Sequence, residues 1–276
     1  MGSPETTTFY DEHPFDWAVP GASEPVDAVV SRRLIEIIAR LEPDSFVVDI
    51  GCGPGRVLGL LARRGLKCVG LDRSRVSVGL AVERYRKPGV VGDNLRLPFA
   101  ESSVDVVISD GVIHHTDDPR AAFEENCRIL KPLGRMYLAV YKPAGRYPLL
   151  YRFPGGLFRA GLEHLWAEPL VKLFGQLPYF LLHFIRSKGR RTWQGARNLF
   201  YDYFITPRVA FLSRATVEEW CAREGMSVET YDENSGGNVH CFFMTKRKSG
   251  GQTDGRGENR LPASVMADIG SERMTR

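Results

Sequence analysis

The chain has 276 residues, 43% hydrophobic and 25% charged, an ordinary globular composition long enough to bury a full core. Its formal net charge of +4 is too mild to signal a nucleic-acid binder by itself. Five cysteines (Cys52, Cys68, Cys127, Cys221, Cys241) are scattered without a CxxC pair, which predicts a reduced, cytoplasmic protein with neither a disulfide framework nor a structural zinc site.

The first ten residues lack the basic and apolar regions of a signal peptide. They match a Met-Gly-x-x-x-Thr acylation pattern through Gly2 and Thr6, a pattern short enough to arise by chance. Next, Val26, Val30, Leu34, Ile37 and Leu41 recur at helical spacing, with Pro25 at the entry. Residues 46–50 read as a buried strand, glycines follow at 51, 53 and 55, and a helix over 56–64 closes at Gly65. A strand over 67–71 ends at Asp72, a helix spans 74–86, and Val90-Val91 is a short strand. A strand over 104–109, a helix over 119–131 and a strand over 135–141 continue the alternation.

From about 143 to 212 the pattern changes. This stretch holds fifteen aromatic residues, and from Arg146 to Arg214 eleven Lys or Arg face only Glu163, Glu168 and Asp202. Residues 169–185 are apolar but short for a membrane span and are interrupted by Lys172, Pro178 and His183, so a pair of helices forming a lid is expected. Ser213 then reads as the N-cap of a helix running to Glu224, with Gly225 as its stop. Strands over 227–232 and 239–246 close the pattern. The predicted fold is α/β: a Rossmann-like, mostly parallel seven-stranded sheet with helices on both faces, plus a largely helical lid insertion. The predicted domains are an N-terminal aromatic flap (1–25), a core (26–142 and 213–248), the insertion (143–212) and a polar, Gly-rich disordered tail (249–276).

The loop Gly51-Cys52-Gly53-Pro54-Gly55 follows a strand and opens a helix. It therefore offers backbone N–H groups and a positive helix end to a ligand. Nucleotide-binding dehydrogenases use a similar device, but their spacing is GxGxxG and they must neutralise a pyrophosphate. Here the spacing is GxGxG, and Asp49 lies two residues before the first glycine, where a ligand carrying an ammonium group would be favoured. Asp72 can accept ribose hydroxyls, and Asp93-Asn94 could hold an adenine amine.

The run VVDIGCGPG, then GLDRS, GDNLRLPFAESSVDVVISDGVIHHTDDP and RILKPLGRMYLAVY resembles the class I S-adenosylmethionine-dependent methyltransferase family. The likeness is to the branch with the ubiquinone, menaquinone and other small-molecule enzymes. The family usually has Gly-Gly after Lys-Pro, whereas this chain has Leu133-Gly134. The resemblance implies S-adenosyl-L-methionine as cofactor. It implies that Asp49, Gly51, Cys52, Gly53 and Gly55 hold the methionine part, Asp72 and Arg73 the ribose and adenine, and Asp93 and Asn94 the adenine edge. Ser109, Asp110 and Gly111 would border both methionine and acceptor.

Methyl transfer is an in-line displacement that needs alignment, desolvation and, for some acceptors, a base. The candidate bases are His114, His115 and Asp110. Adjacent histidines tend to point apart and no third ligand is evident, so no metal is expected. The sequence after the fourth strand, Ser109-Asp110-Gly111-Val112, lacks the Pro-Pro-aromatic motif that holds a nucleobase amine, and no Pro-Cys pair supplies a nucleophile for cytosine. The expected reaction is methyl transfer to a small, hydrophobic or aromatic, or anionic, organic acceptor in specialised metabolism, with neither a nucleic acid nor a membrane span. A protein or tRNA acceptor is the alternative reading, and a non-catalytic cofactor-binding protein a further one. The insertion's aromatics could serve as its own core, as a wall against the acceptor, or as a homodimer surface.

Overall fold

The computed structural model describes residues 4–16, 30–162, 168–186, 193–234 and 237–248. Strands β1 (Phe46–Ile50), β2 (Lys67–Asp72), β3 (Gly89–Val91), β4 (Val104–Asp110), β5 (Leu130–Tyr141), β6 (Met226–Asn234) and β7 (Val239–Lys246) form one sheet in the order β3-β2-β1-β4-β5-β7-β6. The first five run parallel, and β7 is antiparallel to both of its neighbours. After β3 the chain returns to the other side of β1, which leaves a crevice between β1 and β4 where such folds bind ligands.

Alternation along the strands explains the two-sided core. Val47, Cys68, Ile108, Tyr137 and Cys241 pack with helices α2 (Arg32–Ala39) and α3 (Arg56–Arg63). Val48, Val69, Val107, Leu138 and Phe242 pack with α5 (Pro119–Ile129) and α11 (Arg214–Arg223). Helix α4 (Arg75–Tyr85) joins the first layer through Ala81. N-caps hold these helices where polar residues meet apolar runs. Ser31, Ser74, Asp118 and Ser213 each accept a hydrogen bond from a first-turn N–H.

The two largest boundary differences from the sequence reading are at α2 and β5. Helix α2 begins at Arg32, and residues 26–29 lie outside the described residues. Strand β5 begins at Leu130, not 135, because Leu130 pairs with Val104 and the chain then bulges before Arg135 pairs with Val106. At the bulge Leu133 is exposed with φ +64°, a left-handed conformation that costs a branched residue about 1–2 kcal/mol. Glycine removes that cost but adds about 0.5–1 kcal/mol of unfolded-chain entropy. Leu133→Gly is therefore expected to stabilise the fold by about 0.5–1 kcal/mol, read as a rise in Tm.

The insertion contains α6 (Tyr147–Arg152), α7 (Gly155–Leu162), α8 (Glu168–Val171), α9 (Leu177–Arg186) and α10 (Trp193–Phe200). A π turn over Lys172–Gln176 joins α8 directly to α9. Residues 169–185 are thus one continuous helical run and not the expected pair. Pro178 lacks the N–H that would bond back one turn, and the wider turn just before it absorbs the break. A second π turn, Tyr201–Ile205, carries buried Tyr201, Phe204 and Ile205 into a cluster with Phe200 and Val171. Phe9 and Phe15 of the N-terminal segment pack on that cluster, beside α1 (Pro4–Glu12).

Candidate active site

A cleft of about 430 Å³ opens at the carboxyl ends of β1, β2, β4 and β5. On its wall are Gly51, Cys52, Gly53, Asp72, Arg73 and Asn94 from the first half of the core. Asp110, Gly111, His114 and His115 line it from the second half. Asp49, Gly55, Asp93 and Ser109, also candidates from sequence, do not reach the wall. Gly55 packs on the Tyr85 ring, and Asp93 accepts the Leu95 N–H in a turn.

The glycine loop is shaped by two different demands. At Gly51 (φ +64°) a Cβ would lie 2.4 Å from the Val112 side chain, so glycine is required for packing. At Gly53 (φ +52°) a Cβ would meet no protein atom within 4 Å, so the space it would fill belongs to the cleft. The Gly53 N–H donates to Asp72 Oδ2 at 2.8 Å, and the Ser74 N–H to Oδ1 at 2.9 Å. This ties the loop to the end of β2 and aims the carboxylate into the cleft. Burial raises the Asp72 pKa against the pull of those N–H groups.

Asp49 sits beneath the loop with Oδ2 unpartnered. Burial lifts its pKa to about 8; Arg56 pulls it down, and the Asp110 charge pushes it further up. The unfolded chain releases this proton near pH 3.8, but the native state keeps it until about pH 8. Stability from this group is therefore fully present below about pH 4 and is lost as pH rises to about 8. Asp49→Asn removes that loss, so the ligand-free variant is expected to show a higher Tm than the parent at pH 8 but not at pH 4.

Other buried groups near the carboxyl ends of the strands also lack partners. Both amide atoms of Asn94, the Ser109 hydroxyl and both ring nitrogens of His114 have no hydrogen-bond partner. Burial holds His114 neutral, well below its usual pKa. Arg56, at the start of α3, pairs with Asp110 at 2.5 Å, which engages the carboxylate offered from sequence as a base.

The other end of the cleft is aromatic: Tyr10, Phe15, Tyr141 and Tyr203 line it, with Asp202 among them. The Tyr141 hydroxyl donates to Asp202 Oδ2 at 2.5 Å. His115 Nδ1 lies 2.8 Å from the Arg208 carbonyl, which can only accept, so Nδ1 carries the proton and Nε2 is bare in the neutral ring. That Nε2 faces Asp202 Oδ1 at 3.9 Å. Burial raises the Asp202 pKa above the ordinary carboxylate range, while His115 and the Tyr141 hydrogen bond oppose it. Arg56, Tyr141 and Asp202 were not candidates from sequence. The available signal was Asp202 itself, a rare acid in a basic stretch set between two tyrosines.

The N-terminal segment bridges core and insertion. Asp11 accepts from the Ser74 hydroxyl at 2.7 Å, Asp16 pairs with Arg84 at 2.6 Å, and Asn198 donates to the Asp16 carbonyl at 2.7 Å. The remainder of the expected flap (1–3 and 17–25) and the expected tail (249–276) lie outside the described residues.

Residues 48–138 match the family model described as a methyltransferase domain. Residues 48–138 are a methyltransferase domain, and the fold around them is that of the class I S-adenosylmethionine-dependent enzymes. The domain's cofactor is S-adenosylmethionine. A mouse (Mus musculus) tRNA (carboxymethyluridine(34)-5-O)-methyltransferase is 36% identical over 118 residues, 42% of this chain and 17% of that protein. The chain thus spans about a sixth of that relative's length. In fold, the chain resembles the PH0226 protein of Pyrococcus horikoshii OT3. The TM-score is 0.57 at 17% identity, covering 87% of this chain and 99% of that one. The magnesium protoporphyrin IX methyltransferase of Synechocystis PCC 6803 gives a TM-score of 0.50 at 18% identity, covering 80% and 81%.

The cleft fits that cofactor. The open space at Gly53 gives room against the loop, the unpartnered amide of Asn94 can read an adenine edge, and Asp72 retains acceptor capacity for ribose hydroxyls. The aromatic end remains for a second ligand.

Proposed function

We propose that this chain methylates a small organic acceptor seated between the cofactor cleft and the insertion, and that Asp202 receives the acceptor's proton. The observation that carries this reading is the Asp202 carboxylate among the aromatic rings of the cleft, oriented by Tyr141 and flanked by His115. When bound, S-adenosylmethionine supplies an electrophilic methyl group.

In this reading Asp72 and Asn94 hold the nucleoside part and the Gly51–Gly55 loop cradles the methionine part. Asp110, on the wall, faces the methionine part, and Asp49 beneath the loop adds negative charge there once a cation favours its ionised form. Tyr10, Phe15, Tyr141 and Tyr203 clamp a flat or apolar acceptor and exclude water. The bare Nε2 of His115 can share the proton that Asp202 takes up, which returns Asp202 to its ionised form.

The two glycines separate folding from binding. Gly53→Val is expected to fold with a loss of about 1–2 kcal/mol from its left-handed backbone and to weaken cofactor binding by at least about tenfold, read by titration calorimetry. Gly51→Val pushes Val112 aside and is expected to lower Tm more than Gly53→Val does. Normal cofactor affinity in folded Gly53→Val would argue that the loop is not the cradle.

A tRNA acceptor is the second reading, favoured by the tRNA activity of the mouse relative and the basic insertion. Methyl transfer from labelled S-adenosylmethionine to unfractionated tRNA, against transfer to small hydroxylated aromatics, separates the two.

A further inference from the structure

The described residues expose seventeen large hydrophobic side chains, and thirteen of them lie between Leu149 and Trp193, in the insertion. Along the helical run 168–186, Leu170, Phe174, Leu177, Leu181 and Ile185 recur at three- and four-residue steps, with Phe174 70% and Ile185 72% exposed. Leu149 on α6, Phe153 in the extended break after it and Leu157 on α7 are 68%, 66% and 62% exposed. Helix α7 packs on both α6 and α8, so these side chains and those of the 168–186 run belong to neighbouring elements. Isolated exposed hydrophobics need no explanation, but a concentration of this kind marks an interaction surface.

We propose that this face of the insertion seats on an anionic lipid bilayer. Charge selects that occupant. From Arg146 to Arg214 the sequence holds eleven cations and three acids; of the acids Asp202 is turned into the cleft, and of the cations Arg208 and Arg214 pair with Asp117 and Glu218 outside the stretch. Arg146, Arg152 and Lys172 stand exposed beside the apolar positions. Apolar side chains flanked by Lys and Arg are the pattern that enters the headgroup boundary of acidic membranes. A two-fold dimer through the same face would bring two cationic surfaces together. RNA surfaces take up arginines and aromatic rings but give exposed leucines and isoleucine nothing to bury against. Among the described residues no helix is long and apolar enough to cross a membrane, so the contact lies in the plane of the interface.

The same insertion contributes Leu199, Asp202 and Tyr203 to the cleft. If the proposed acceptor site is right, an apolar acceptor dissolved in the bilayer would reach Asp202 along the docked insertion. That consequence rests on the proposed function; the membrane contact itself does not.

The test is co-sedimentation of the full chain with vesicles of phosphatidylcholine alone and of phosphatidylcholine mixed with phosphatidylglycerol. It is run for the parent and for the double variant Phe174→Glu, Ile185→Glu. Both sites are exposed, so circular dichroism and cofactor affinity should be unchanged in the variant. The parent is expected to bind the anionic vesicles at least about tenfold more tightly than the zwitterionic ones, with binding weakened by salt and lost in the variant. Absence of binding to anionic vesicles at low salt would overturn the proposal. So would a dimer in sedimentation velocity that the two substitutions dissolve, or tRNA binding lost in the variant while vesicle binding persists.

Discussion

Asp202→Asn is expected to lower turnover by about 10²–10⁴-fold, the range for loss of a positioned proton acceptor. The amide is nearly isosteric, so the Tyr141 hydroxyl keeps an acceptor and the π turn keeps its place, but it cannot take up a proton. Asp202 belongs to the insertion end of the cleft, so cofactor affinity should stay within about twofold of the parent in the same titration. The parent's rate should rise with pH through the raised pKa of Asp202, because only the ionised carboxylate accepts a proton. That acid limb should vanish in the asparagine variant. Tyr141→Phe removes a hydrogen bond that favours ionised Asp202, so its limb should move to higher pH with a smaller loss at the plateau. The readout is release of S-adenosylhomocysteine with an acceptor found by screening hydroxylated compounds. An Asp202→Asn enzyme with a parental rate and pH profile would remove Asp202 from the mechanism.

Asp72→Ala is expected to weaken S-adenosylmethionine binding by about 1.5–3 kcal/mol, roughly 10- to 150-fold. Two losses combine. The ribose hydroxyls lose a charged acceptor, and the Gly53 and Ser74 N–H groups lose the partner that ties the glycine loop to β2. Asp72→Asn should not rescue binding fully, because both carboxylate oxygens face backbone donors and the amide nitrogen would oppose one of them. Titration calorimetry separates this from the Asp202 effect. Asp72 variants should lose affinity, whereas Asp202 variants should lose rate. Unchanged affinity in Asp72→Ala would place the nucleoside elsewhere.

The local pattern determined the core of this protein. Buried parallel strands read as unbroken apolar runs, and β1, β2 and β4 stand where Phe46–Ile50, Lys67–Leu71 and Val104–Ser109 predict them within a residue. The Ser213 cap is read from one residue type at one offset. The glycine triplet and Asp72 pointed to the cleft because backbone conformation and strand ends are local properties. What the sequence could not show was which polar groups share one cavity. Asp49 stands far nearer the loop in sequence than Asp72 does, yet the pleat turns Asp49 beneath it and leaves Asp72 on the wall. Arg56 meets Asp110 across fifty-four positions, and Tyr141 meets Asp202 across sixty-one, distances at which no local pattern carries information. The insertion's composition announced a different segment, but only packing decided its aromatics' fates. Phe200, Tyr201 and Phe204 form a core, Tyr203 faces the cleft, and Phe174 faces outward, because helical rotation sends neighbouring side chains to opposite sides.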